Sequence, residues 1–172
     1  MPDRATLEQR LALLRPSPDL APVALLVQRL SGDRRLTPGS VTLDPEQGVI
    51  GDRWFTSFRR KADAQVTLMR WDVACAMHED PRVLGDNLFA SIDTSAENLP
   101  PGAVLRVGAA TCIVTPKAHT GCSKFEARAG RDALELTRDP AWKASQLRGV
   151  HLRVIEGGLV RLGDTIELLS RR

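Results

Sequence analysis

Residues 99–115, Leu99-Pro100-Pro101-Gly102-Ala103-Val104-Leu105-Arg106-Val107-Gly108-Ala109-Ala110-Thr111-Cys112-Ile113-Val114-Thr115, decide the fold. Leu99-Pro100-Pro101-Gly102 is a tight reversal, because proline presets φ and glycine tolerates the backbone conformations that turns demand. Residues 104–107 and 111–115 are short runs rich in β-branched side chains. Joined around Gly108, they predict a hairpin. The same punctuation recurs outward. Residues 23–27, 41–43, 65–69 and 87–92 read as further short strands, and 150–155 with 159–169 form a final strand-rich unit after Gly157-Gly158. Gly51, Gly102, Gly108 and Gly163 are expected at turns, with Asp52 and Asp164 as turn or capping partners. Regular βαβ alternation is absent, which argues for a mostly β chain with short helices, closed as a β-barrel, over a doubly wound sheet.

Helical spacing is confined to a few places. Leu7, Leu11 and Leu14 recur at helical intervals, and Arg15-Pro16-Ser17-Pro18 should stop that helix. Residues 1–21 are therefore expected to be an N-terminal helix and linker, and residues 22–172 the barrel domain. A second helix over residues 72–79 should bury Val73, Ala76 and Met77, with Cys75 among them. Residues 123–147 could hold one or two more. Residues 53–64 are polar and predict a mobile loop.

At 172 residues with 42% hydrophobic content, the chain can bury one ordinary core. With no tyrosine, four phenylalanines and three tryptophans, that core must be mostly aliphatic. The net charge of +3 is mild, and the 20 arginines and 4 lysines are scattered. A nucleic-acid partner would call for a clustered basic footprint, so none is expected. No apolar run reaches the roughly 20 residues of a membrane helix, and no signal peptide is visible. Three cysteines in unpaired spacing point to a reduced, cytoplasmic setting.

Cys122 is the candidate for chemistry. It lies in a polar loop flanked by Lys117, His119 and Lys124, cationic surroundings of the kind that favour thiolate. Cys112, within a strand run, reads as a small buried hydrophobe. Four constellations could use Cys122. His119-x-x-Cys122 could begin a zinc site, but Cys112 and His151 are isolated singles where paired spacing is usual. Cys122-x5-Arg128 has the span of a phosphatase loop, with Glu126 inside it to repel the dianion. A Cys/His hydrolase could draw on His78, His119 or His151. Finally, a soft thiolate could bind molybdenum or carry a persulfide. Spacing alone leaves all four open.

An ordered set of landmarks adds to this. Gly48-Val49-Ile50-Gly51-Asp52-Arg53, Gln65-Val66-Thr67-Leu68, Gly85-Asp86-Asn87-Leu88, residues 98–108, the Cys122 loop, Arg148-Gly149-Val150 and Glu156-Gly157-Gly158 through Gly163-Asp164 together resemble a MOSC domain. The family is named for the C-terminal domain of molybdenum cofactor sulfurase, and the match runs over about residues 22–170. The resemblance implies a MOSC-type β-barrel and a role around the molybdenum cofactor (molybdopterin). It implies Cys122 as metal ligand or persulfide site, with reduction of N-hydroxylated compounds or sulfur transfer as the activity. A non-catalytic cofactor carrier is the alternative. His119 would be the proximal proton donor, and Lys61, Asn87, Lys117, Lys124 and Arg148 would bind the cofactor. A redox or sulfur-donor protein would be a partner. Pyridoxal phosphate belongs to a separate domain of the full sulfurase and is not expected here. The family often places an arginine directly before its Gln-Val-Thr-like strand and another before Asn87. Here those places hold Ala64 and Gly85-Asp86, with Arg59, Arg60 and Lys61 just upstream of the first.

Overall fold

A computed structural model describes residues 1–58 and 60–171. Seven strands close into a barrel: β1 (Leu20–Leu26), β12 (Thr165–Ser170), β8 (Val104–Val107), β9 (Ala110–Val114), β10 (Val150–Glu156), β6 (Val66–Met69) and β7 (Leu88–Ala90), which returns to β1. Every barrel pairing is antiparallel except β6 with β7. The hairpin read from residues 104–115 is β8 and β9, paired Val104 to Ile113 and Val107 to Ala110. A small sheet joins β11 (Gly158–Arg161), β4 (Ser40–Asp44) and β5 (Gly48–Val49), and β2 (Gln28–Arg29) pairs with β3 (Arg35–Leu36).

Barrel closure explains the sequence periods. β9 alternates buried and half-buried residues, as a strand with one face on the core should. β6 and β7 are buried along their whole length, because both faces are covered. Leu68 and Leu88 face the aliphatic barrel core, while Met69 and Phe89 face a second apolar cluster outside it. That cluster is built by α1 (Arg4–Ala12), α3 (Trp71–Met77), α4 (Ser123–Ala129) and α5 (Arg131–Arg138). The helices thus cap the parallel pair, and a buried parallel edge of this kind needs such cover. Leu7 and Leu11 of α1 sit in this cluster, and Ser17 bridges to Ile92, so the N-terminal segment is packed onto the domain.

Two local expectations differ from the structure. Residues 53–64 contain a short helix, α2 (Arg53–Thr56), and a single 3₁₀ turn at Ala62–Ala64. The helix starts there because Asp52 accepts the Trp54 N–H at its N-terminus, 2.9 Å away. Cys75 is exposed, because α3 turns Val73, Ala74, Ala76 and Met77 inward and leaves position 75 on the outer face. Among the described residues no helix is long and apolar enough to cross a membrane.

Candidate functional site

The loop after β9 carries the candidate thiol, and it is tied down on several sides. Thr115 donates its hydroxyl to the Asp63 carbonyl at 2.7 Å, and its N–H reaches the His151 carbonyl at 3.0 Å. The His151 Nδ1 lies 3.1 Å from the Lys117 carbonyl, and Arg138 donates to the Gly121 carbonyl at 3.1 Å. Gly121 allows this path: a Cβ there would stand 2.4 Å from a Leu134 methyl. The chain then enters α4 at Cys122, which is exposed and unpaired in a disulfide.

Beneath the loop lies a buried polar cluster. Arg148 donates from Nη1 to Asp86 Oδ2 at 3.0 Å and to the Met69 sulfur at 3.1 Å, and its guanidinium stacks on Phe125 at 4.3 Å. Its Nη2 lies 3.2 Å from His119 Nε2. Because a guanidinium only donates, His119 Nε2 must be the acceptor and Nδ1 must carry the proton. That Nδ1 points toward Asp86 Oδ1 at 3.6 Å, too long for a hydrogen bond, and leaves both atoms without a partner. His151 stacks obliquely on His119, ring centres 4.4 Å apart. Its Nδ1 faces a carbonyl and so is also the protonated nitrogen.

Electrostatics follow from this packing. Burial, then the positive charge of Arg148, holds the His119 imidazole well below the usual histidine range. Burial lowers His151 to about 4. His119 is therefore neutral at pH 7 and has no imidazolium proton to give. For Asp86, burial pushes the carboxyl up and the Arg148 guanidinium pulls it back. A pH dependence results. The unfolded chain protonates these histidines below about 6.5, while the folded chain resists, so stability is full above 6.5 and lost as pH falls toward 4. His151 alone should contribute about 3 kcal/mol over that window. Urea unfolding at pH 7 and pH 4.5 should show the loss, and His151→Gln should flatten it; an unchanged slope in the variant would count against this assignment.

A second polar system meets the first beside Asp86. Asp52, wholly buried, takes Arg29 in a two-pronged pair, Nε to Oδ2 and Nη2 to Oδ1, both at 2.9 Å. It also accepts the Asn87 side-chain amide at 2.9 Å. Burial pushes the Asp52 carboxyl up, but the bonds from Arg29 outweigh it and hold the group below its ordinary value. Arg29 Nη1 continues to the Gly85 carbonyl at 3.2 Å. Asn87 is spent internally: its amide binds Asp52 and the Val27 carbonyl, and its oxygen accepts from Thr67. These bonds tie it to β6 and Asp52.

Two clefts open beside these systems. The first, about 350 Å³, is lined by Arg29, Arg53, Arg60, Lys61 and Lys117 together with Trp54, Ser57 and Ala64, and no carboxylate lines it. The Trp54 indole N–H is buried there without an acceptor among the described residues. The second, about 610 Å³, is walled mainly by apolar side chains, with His119 and Arg148 in its lining and Lys117 shared with the first. Lys61 and Lys117 are thus brought together, as are His119 and Arg148. Lys124 is exposed and lines neither cleft, and Cys122 lines neither. Arg59 lies outside the described residues. The sequence reading missed Arg29 and Asp86. Its signal for them was slight: an arginine directly after an apolar strand run, and an aspartate between a glycine and an asparagine. Where Gly85-Asp86 lacks an arginine, Arg29 reaches in from β2 to the Gly85 carbonyl.

The three thiols differ in environment. Cys112 is buried and pushed up to about 12, and burial, with Asp72 nearby, raises Cys75. Iodoacetamide at neutral pH should label Cys122 about tenfold faster than Cys75 and leave Cys112 untouched in the folded state. Equal labelling of Cys75 and Cys122 would contradict a distinct Cys122.

The family model described as MOSC domain matches residues 63–167. A solved structure titled only as a hypothetical protein superposes with a TM-score of 0.67 and 19% identity, over 88% of this chain and 69% of its own. The YUAD protein from Bacillus subtilis gives a TM-score of 0.57 and 16% identity, covering 87% of this chain and 95% of its own. YiiM from Escherichia coli gives 0.57 and 20%, covering 88% and 72%. These likenesses concern the fold. No curated protein matches the chain.

Proposed function

Since the chain belongs to the MOSC domain family, we propose that its barrel binds the molybdenum cofactor, with Cys122 as the thiol that meets the metal or carries sulfur. The observation that carries the reading is the first cleft: five cations, no carboxylate and an indole N–H lacking an acceptor. Such a wall is matched to an anionic, acceptor-rich group, and the phosphate and pterin of the cofactor are both. Lys61 and Lys117, with no acidic partner among the described residues, would hold the phosphate as point charges. Arg53 and Arg60 would add donors, and Trp54 would supply the indole N–H. Arg29 serves less directly, because Asp52 already occupies most of its fork. Cys122, exposed at the end of the anchored loop, is a soft ligand available without breaking any internal bond. When bound, the cofactor would supply two-electron redox chemistry at its metal.

A second role for the same thiol is favoured by a specific observation. A reductase needs a proton delivered near the metal, and His119 is held neutral. Carriage of sulfur needs no such acid. There the Cys122 thiolate attacks the outer sulfur of a donor persulfide, the donor leaves as its thiol, and the sulfur travels on Cys122.

The test is Cys122→Ser made in a host that synthesises the cofactor. If the thiol is a ligand, molybdenum content should fall about tenfold or more while the far-UV spectrum is unchanged, because a serine oxygen is hard and stays protonated. If it carries sulfur, cofactor should remain and cyanide-releasable sulfur should vanish. A variant equal to wild type in molybdenum and releasable sulfur would overturn both roles.

A further inference from the structure

The second cleft has a chemistry of its own. Its volume of about 610 Å³ falls within the range of small-molecule sites. Leu99, Val114, Pro140, Ala144 and Leu147 give it apolar walls. Several of the polar side chains there are already committed. The Thr115 hydroxyl is donated to Asp63 and the Thr137 hydroxyl to the Leu134 carbonyl. Arg148 is balanced by Asp86 at 3.0 Å and held by His119. Uncommitted beside the Thr120 and Gln146 side chains are two ammonium groups, Lys117 and Lys143, with no acidic partner among the described residues and no Asp or Glu in the lining. An apolar chamber with two unneutralised lysines and no opposing carboxylate selects for an apolar body carrying one negative group. A phosphate dianion would call for a denser set of donors, an arginine fork or a row of backbone N–H groups, and the only guanidinium here is already paired.

We propose that this cleft binds a small organic carboxylate with an apolar body of about six to ten carbons, its carboxylate between Lys117 and Lys143 and its body against Leu99, Ala144 and Leu147. The inference goes beyond cofactor binding and does not rest on it, because the clefts share Lys117 alone and the carboxylate site needs no metal. With a cofactor in the first cleft, the carboxylate would lie beside it.

The experiment uses the full chain made in a host without the cofactor, so its failure would leave the cofactor reading intact. ¹H–¹⁵N spectra are recorded during titration with 4-phenylbutyrate and, separately, with the neutral 4-phenylbutanol. The acid should give saturable shifts at Leu99, Ala118 and Ala144 and bind about tenfold tighter than the alcohol, with the preference shrinking as salt rises. Lys143→Gln should weaken the acid about three- to tenfold and leave the alcohol unchanged. Ala144→Trp, at an exposed position, should fill the cleft and abolish both; Ala118→Trp does the same from the loop side should the first variant fold poorly. Equal binding of acid and alcohol, shifts mapping elsewhere, or full binding by a well-folded cleft-filling variant would overturn the proposal.

Discussion

Gly149→Ala should unfold the protein or bring it to the edge of unfolding, a loss of about 4 kcal/mol or more from the 5–15 kcal/mol typical of a domain. A Cβ at this position would stand 1.9 Å from the Leu68 carbonyl oxygen and 2.8 Å from Met69 Cα, at a φ of +77°. These contacts are backbone, so no side-chain rotation relieves them. The collision falls where β10 begins its pairing with β6, Val150 opposite Leu68, so relief would require opening the barrel beside its parallel seam. Urea unfolding followed by tryptophan fluorescence measures the effect. A midpoint within a small margin of wild type would mean that the seam is looser than this geometry requires.

Asp86→Ala should be nearly as severe, costing about 3–5 kcal/mol. The substitution leaves the Arg148 guanidinium, itself almost wholly buried, without its counter-charge. The stack on Phe125 and the bond to His119 remain but carry no negative charge. Asp86→Asn, which keeps an acceptor oxygen for Arg148, should fall between wild type and the alanine variant. If alanine and asparagine cost the same small amount, water must already solvate Arg148, and the cluster does not anchor the Cys122 loop.

Those two sites also mark where the sequence was informative and where it was not. The barrel was legible because its signals are local: the Pro-Pro-Gly turn, the hairpin about Gly108, and short β-branched runs cut by glycine. The buried parallel seam was not, since Val66-Thr67-Leu68-Met69 reads alike in an antiparallel strand and in one covered on both faces. Cys75 sits between alanines, and small residues do not declare which face of a helix turns inward. Residues 53–64 looked unstructured because the aspartate that starts α2 spends most of its bonding on Arg29, a partner 23 residues earlier. The loop charges Lys117 and His119 were visible, and their neighbourhood was not. Arg148 finds Asp86 across 62 positions, and only the closed barrel brings the two together. That burial also holds the His119 imidazole well below the usual histidine range.

Metal analysis of the full chain purified from a cofactor-synthesising host is the sharpest test of the proposal that this MOSC barrel holds the cofactor. Near-stoichiometric molybdenum should accompany the pterin, with marked loss of both in a Lys61→Ala, Lys117→Ala double variant that keeps the wild-type unfolding midpoint. Folded wild-type protein emerging from that host with neither molybdenum nor pterin would contradict it.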